Sequence, residues 1–252
     1  MNYFDASTWI GKWPFAFVDA HMPRSLAAHL KAHGIRRALV SPLDAVFSPA
    51  PGPANQELLR GIKGVKGLIP VPVINPSLAN WSEELDAVTG DPRVRAVRLL
   101  PSYHGYRLRS RAVDAFTVEA ARRRLRVIVQ VRLIDERHEY HAMHIKPVKP
   151  ADFAAFVKRH PRLRVVASGF IRSEILSIAM QCPRALIDLS FAEWHETIRH
   201  LLARVPARQL CFASHTPFLI TAAARAKLET SGLSRSKLGR IGSSNLEQWL
   251  IG

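Results

Sequence analysis

Residues 211 to 220 read CFASHTPFLI. An apolar run, Leu210, Cys211 and Phe212, enters a small-residue turn at Ala213 and Ser214, presents His215 and stops at Pro217. A buried strand that ends at the mouth of an active site has this form. Working back from it, QLCFAS (209 to 214) is the last of eight short apolar runs. The others are YFDAS (3 to 7), RRALVSP (36 to 42), GLIPVPVI (67 to 74), RAVRLLP (95 to 101), RVIVQVRL (126 to 133), LRVVAS (163 to 168) and ALIDLSF (185 to 191). Helical patterns separate them: SLAAHLKAHG, ANQELLRGIKG, WSEELDAV, RAVDAFTVEAARRR, PADFAAFVKRH, SEILSIAMQC, HETIRHLLARV and TAAARAKLETS. Several close with Gly or precede Pro, as helix ends do.

Strands that are apolar through their middles, each followed by a helix, predict a parallel sheet covered on both faces. Eight of them predict an α/β fold of the closed (β/α)8 TIM-barrel type, one domain over residues 1–252, with RSKLGRIGSSNLEQWLIG as a C-terminal capping helix. Chemistry in such a barrel sits at the C-terminal strand ends. The candidates there are Asp5, Asp44, Asn75, Arg98, His104, Arg132, Asp135, Arg137, Ser168, Asp188, Glu193 and His215.

At 252 residues and 48% hydrophobic, the chain suits one large domain. Arg, Pro or Gly interrupts every apolar stretch well short of the roughly 20 residues of a membrane span. MNYFDASTWIGKW lacks the charged and apolar regions of a secretory signal, so a cytoplasmic protein is expected. Cys182 and Cys211 lack metal-ligand spacing and are expected as buried free thiols. The formal charge of +16 raises polyanions as partners. The Arg residues are nevertheless spread along amphipathic helices, with no zinc finger, RNP signature or basic heptad. A small-molecule substrate is therefore expected, without nucleic acid or membrane, in a chain open to homo-oligomer formation.

FDASTWIG, ASHTPF and IGSSNLEQWL, taken in order and in place, resemble the first strand, last strand and closing helix of the amidohydrolase superfamily. The specific likeness is to its Amidohydrolase 2 branch of metal-dependent hydrolases and decarboxylases. The resemblance implies a TIM barrel and, in the parent pattern, a metal held by His residues of the first strand. Here those positions are Ser7 and Trp9, strand 5 supplies no His, and strand 6 ends in Ala167, Ser168 and Gly169. The last-strand Asp is His215. Catalytic zinc generally needs three protein ligands, so the standard metal site is expected to be lost. The chain also looks like a divergent group marked by GKWPF, YHGY, DER and SHTPF after strands 1, 4, 5 and 8, all on one predicted barrel face.

His215 is expected as general base, since an unperturbed imidazole titrates near 6.5; its alternative is a His tied to a neighbouring loop. Asp188 or Asp135 would orient it. Arg137 beside Asp135 would fork an anionic substrate, with His104, Arg98, His141 and Trp13 as further binding residues. His138, His141 and His144 recur every third residue, a spacing that suits a solvated lid better than a metal. Asp5 is a site carboxylate or a buried anion paired with Arg98. Trp9, Trp13, Phe15, Phe191, Trp194 and Phe218 are candidates for an apolar rim.

The expected function is an amidohydrolase-related hydrolase or lyase acting on a small polar anion without cofactor. Two alternatives stand beside it: a metal-dependent hydrolase, zinc being the metal, with a rearranged site using His215, His141 and carboxylates; and a non-catalytic ligand- or polyanion-binding barrel.

Overall fold

The computed structural model of the chain describes residues 2–135, 139–140 and 143–252. Its parallel strands follow chain order: β1 (Tyr3–Ile10), β2 (Ile35–Pro42), β3 (Leu68–Pro70), β4 (Ala96–Leu99), β5 (Arg126–Gln130), β6 (Val165–Ser168), β7 (Leu186–Asp188) and β8 (Leu210–Cys211). Ladders join β1 through β3 and β4 through β8. Both seams between these two sheets are bonded. Arg98 N–H donates to the Pro72 carbonyl at 2.8 Å and Ile74 N–H to the Arg98 carbonyl at 3.0 Å. On the other side Ala6 N–H reaches the Phe212 carbonyl at 3.0 Å and Trp9 N–H the Thr216 carbonyl at 2.9 Å. The fold is a (β/α)8 barrel.

Strand extents differ from the sequence expectation in two instructive places. The first strand continues past Ser7 to Ile10, with all eight residues buried. Asp5 therefore lies in mid-strand, well short of the mouth. The third strand is cut to Leu68–Pro70, because Pro70 and Pro72 have no N–H to give the ladder.

The covering helices are α1 (Pro23–Ala32), α2 (Gly52–Gly61), α3 (Trp81–Thr89), α4 (Arg111–Arg122), α5 (Pro150–Arg159), α6 (Arg172–Gln181), α7 (Thr197–Leu202) and α8 (Thr221–Glu229). Proline opens α1 and α5 at a position whose N–H has no helical partner anyway. In α4, Ser110 caps the start by accepting from Val113 N–H, and Val113, Phe116, Thr117 and Ala120 form the buried stripe. The tail forms α9 (Arg235–Gly239), a π-helical turn (Arg240–Ser244) and α10 (Asn245–Ile251). Among the described residues no helix is long and apolar enough to cross a membrane.

Period-two alternation sorts the strand residues. Val97, Leu99, Val127, Val129, Val165, Ala167 and Ile187 pack outward with the helices. Inside, Phe4, Ala96, Ile128, Val166, Leu186 and Cys211 form an apolar layer with Leu246, Trp249 and Leu250 of α10, so α10 plugs the N-terminal end of the barrel. Arg126 Nε holds it there by donating to the Trp249 carbonyl at 2.7 Å. Two residues further along β4, β5, β6 and β7 come Arg98, Gln130, Ser168 and Asp188, all buried. The interior thus changes from apolar to polar toward the mouth. Above it, Trp9, Trp13, Leu43, Val46, Val73, Leu100 and Leu133 form a third cluster, which roofs the β1 to β4 side.

Candidate active site at the barrel mouth

The polar layer is built around Arg98, a fully buried cation. Its guanidinium lies 4.3 Å from the centroid of the Trp9 ring. Nη1 donates to Gln130 Oε1 and, at 3.3 Å, to Ser7 Oγ; Nη2 reaches the Ala6 carbonyl at 3.4 Å. Burial lowers the guanidinium to about 9, with Asp188 and Asp5 opposing the shift, so it stays charged at neutral pH. Asp5 is not its ion-pair partner. Asp5 Oδ1 accepts from the N–H groups of Ser7 and Ser214, each at 3.0 Å, and Oδ2 has no hydrogen-bond partner. Burial pushes this carboxyl up to about 7, against the hydrogen bonds that lower it.

His215 sits in the same layer, fully buried, and both ring nitrogens are engaged. Nε2 lies 2.8 Å from the Leu133 carbonyl and Nδ1 3.1 Å from Ser7 Oγ. A carbonyl only accepts, so the proton is on Nε2, and Nδ1 accepts from the Ser7 hydroxyl. The rings of Phe191 and Phe218 stand 5.1 Å and 5.5 Å from the imidazole. Burial drives it down to about 3; the bond to Leu133 opposes this and the charge of Arg98 adds to it. The expected pairing with Asp188 is absent. Asp188 accepts from Ser168 Oγ, from Ser190 Oγ at 2.6 Å and from Ser190 N–H at 3.1 Å.

The open space lies on the β5 to β8 side. A cavity of about 490 Å³ is lined by Arg132, Asp135, Ile171, Arg172, Ser173, Phe191, Glu193, Trp194 and Leu219. Arg132 is clamped by Glu174, Nη1 to Oε2 at 2.7 Å and Nη2 to Oε1 at 3.3 Å, and donates to the Gly169 carbonyl at 2.7 Å. Glu174 also accepts from Ile171 N–H at 2.9 Å, which fixes the start of α6 against the cavity. Gly169 is required here. Its φ is +83°, and a Cβ would fall 2.6 Å from the Arg132 carbonyl. Arg172 lies 5.2 Å over the Trp194 ring. The walls thus offer two cations, two carboxylates and two aromatic faces.

Of the candidates at the strand ends, Arg132, Asp135 and Glu193 line this cavity. Trp13 does not. It is nearly buried in the roof, 4.9 Å from the Phe218 ring and 5.2 Å from that of Phe47. His104 ties the loop after β4 to the chain after β2, its Nε2 being 3.0 Å from the Ala45 carbonyl. Asp44 accepts from Lys12 N–H at 3.1 Å, and Asn75 folds onto Ser77. Arg137, His138 and His141 lie outside the described residues. Arg172, Ser173 and Glu174 escaped the sequence reading. Their signal is the run SGFIRSE, in which a strand ends on glycine and a helix starts with Arg, Ser and a capping Glu.

The amidohydrolase family profile matches residues 14–233. The chain belongs to the amidohydrolase family. That membership puts it among enzymes of hydrolase or decarboxylase type. No curated protein matches the chain significantly. Solved structures do match in fold. A 5-carboxyvanillate decarboxylase from Sphingomonas paucimobilis is similar at TM-score 0.73 and 11% identity, over 99% of this chain and 98% of that one. A 2,6-dihydroxybenzoate decarboxylase from Rhizobium gives 0.71 and 12%, over 99% and 98%. A 5-carboxyvanillate decarboxylase from Novosphingobium aromaticivorans, with bound manganese and 3-methoxy-4-hydroxy-5-nitrobenzoic acid, gives 0.70 and 12%, over 92% and 81%.

Among the described residues, the donors of this amidohydrolase at the strand ends do not fit a divalent metal. Ser7, Trp9, Gln130 and Ser168 stand there, a guanidinium occupies their midst, and the one imidazole has both nitrogens committed. Among the described residues no group of three or more His, Cys, Asp or Glu is placed to hold a metal ion.

Proposed function

We propose that this amidohydrolase acts on a small anionic aromatic molecule, by hydrolysis or decarboxylation, in the mouth cavity and without the metal of its relatives. The observation that carries this reading is the cavity wall, where Arg172, Trp194 and Phe191 stand with Asp135 and Glu193 in one space of about 490 Å³. A planar ring lies against Phe191 and Trp194, while its carboxylate meets Arg172. An Arg fork suits a carboxylate in two parallel hydrogen bonds. 5-Carboxyvanillate and 2,6-dihydroxybenzoate, after which the decarboxylases of similar fold are named, have this chemistry.

Acid–base work falls to Asp135 and Glu193. In decarboxylation, one of them in its acid form protonates the ring carbon as the carbon–carbon bond breaks and carbon dioxide leaves. In hydrolysis, one of them as carboxylate takes a proton from the attacking water. His215 acts behind them as a positioning residue. Its position under Phe191, with no nitrogen to spare, does not suit proton exchange with a substrate. Arg98 supplies a fixed positive charge in the buried polar layer beneath the mouth.

The test is a panel of hydroxybenzoates and their esters and amides, followed by product chromatography. Glu193→Gln or Asp135→Asn should lower kcat by about 10²- to 10⁴-fold, the usual contribution of a positioned proton transfer. Arg172→Ala should raise KM with kcat little changed. Full turnover in the Asp135→Asn, Glu193→Gln double variant would overturn the assignment.

A further inference from the structure

A second cavity, of about 590 Å³, shares no lining residue with the first. It opens between the loop after β4 and the segment leading into α5, and it is lined by Arg107, Arg109, Lys146, Lys149 and Arg159, with Asp152 as the acidic residue of the wall. Arg159 is compensated: it meets Asp114 at 3.1 Å and donates to the Leu108 carbonyl at 2.7 Å. Among the described residues Arg107, Arg109, Lys146 and Lys149 form no ion pair with any acidic side chain. Four uncompensated cations around one concavity repel one another, and the arrangement is relieved by a bound anion.

Two further features point the same way. Ser102 Oγ, on a residue of this wall, is buried without a hydrogen-bond partner. The ten-residue α5 starts at the cavity; Phe153 N–H is taken by the Lys149 carbonyl at 3.1 Å, and among the described residues no side chain caps the N–H groups of Ala151 and Asp152. Those groups have no partner within the helix and carry its positive dipole end. Lysines serve as point charges for phosphate, and arginines bind it through a fork.

We propose that this cavity is a binding site for a multiply charged phosphate compound, separate from the mouth cavity and independent of the reaction there. The site is a concavity between two chain segments, so it suits a small phosphorylated molecule rather than a nucleic-acid strand lying along a stripe.

Pyrophosphate and tripolyphosphate titrated calorimetrically into the full chain, at low salt, test the proposal. Binding of one molecule per chain is expected, tighter for tripolyphosphate than for inorganic phosphate. Lys146→Ala with Lys149→Ala, and separately Arg107→Ala with Arg109→Ala, should each weaken it by about tenfold or more. Arg204→Ala with Arg208→Ala removes the same charge elsewhere on the exposed surface and should leave it unchanged. Equal weakening in that control pair would show a diffuse field instead of a site. Citrate binding as tightly as pyrophosphate, with the same dependence on the cavity pairs, would overturn the phosphate assignment. No heat from any phosphate probe would overturn the site itself. Circular dichroism melts of each variant separate loss of binding from loss of fold.

Discussion

The Arg98 guanidinium lies 4.3 Å from the centroid of the Trp9 ring, both side chains fully buried. Trp9 is fully buried and packs with Trp13, Leu43 and Leu133 over the polar layer, so the indole fills the barrel at this point. It also desolvates the cation it faces, and a cation over an indole gains about 2 kcal/mol or more when desolvated. Trp9→Ala should therefore cost about 3 to 5 kcal/mol of stability. Urea titration measures it. A loss below about 1 kcal/mol belongs to the surface range and would refute the plug.

Stability against pH should be nearly flat between about pH 4 and 6.5 because two buried groups oppose each other. Asp5 has a raised value, about 7; its contribution is present below the ordinary carboxylate range and is lost as pH rises toward 7. His215 has a depressed value, about 3; its contribution is present above about 6.5 and is lost as pH falls toward 3. In His215→Asn only the Asp5 slope remains, so stability should fall by up to about 1.4 kcal/mol per pH unit from pH 4 to 7. Asn tolerates the positive φ of +55° at this position. Denaturant midpoints across that range decide it, and parallel profiles for wild type and variant would contradict the assignment.

Protein purified without chelator should carry far less than one zinc or manganese per chain, because Ser7, Trp9, Gln130 and Ser168 do not form a three-ligand site. Elemental analysis after dialysis reads this directly. Stoichiometric metal would refute it and turn attention to His138 and His141.

Glu174→Ala should destabilise the chain by about 2 to 3 kcal/mol, since it removes the carboxylate that clamps the nearly buried Arg132 and the acceptor of Ile171 N–H. Because Arg132 and Ile171 both line the mouth cavity, affinity for an aromatic carboxylate should fall as well. Thermal melts with and without benzoate-type ligands report both effects. A variant as stable as wild type would mean that the clamp is replaced by water.

Much of the barrel is legible in the chain. Apolar runs such as RVIVQVRL, punctuated by helices with a buried stripe and by Gly or Pro, encode strands and helices locally, and the count of eight fixes the closure. That Ser7, Trp9 and His215 sit on or just past the first and last strands is legible too, since FDASTW and ASHTPF lie in or directly after the outermost apolar runs. The partners of those residues are not. Ser7 and His215 are 208 residues apart, and β1 shifts register between Tyr3 and Phe4 and again between Asp5 and Thr8. Sequence periodicity has no means of registering such shifts, which decide the residues that face the axis. Only the closed barrel binds His215 to Leu133 rather than Asp188, seals the β1 to β4 side under Trp9 and Trp13, and leaves Arg172 and Glu193 around the space that remains. The physical reason is that alternation is set by each strand alone, whereas contacts across the mouth depend on how eight strands and their loops meet.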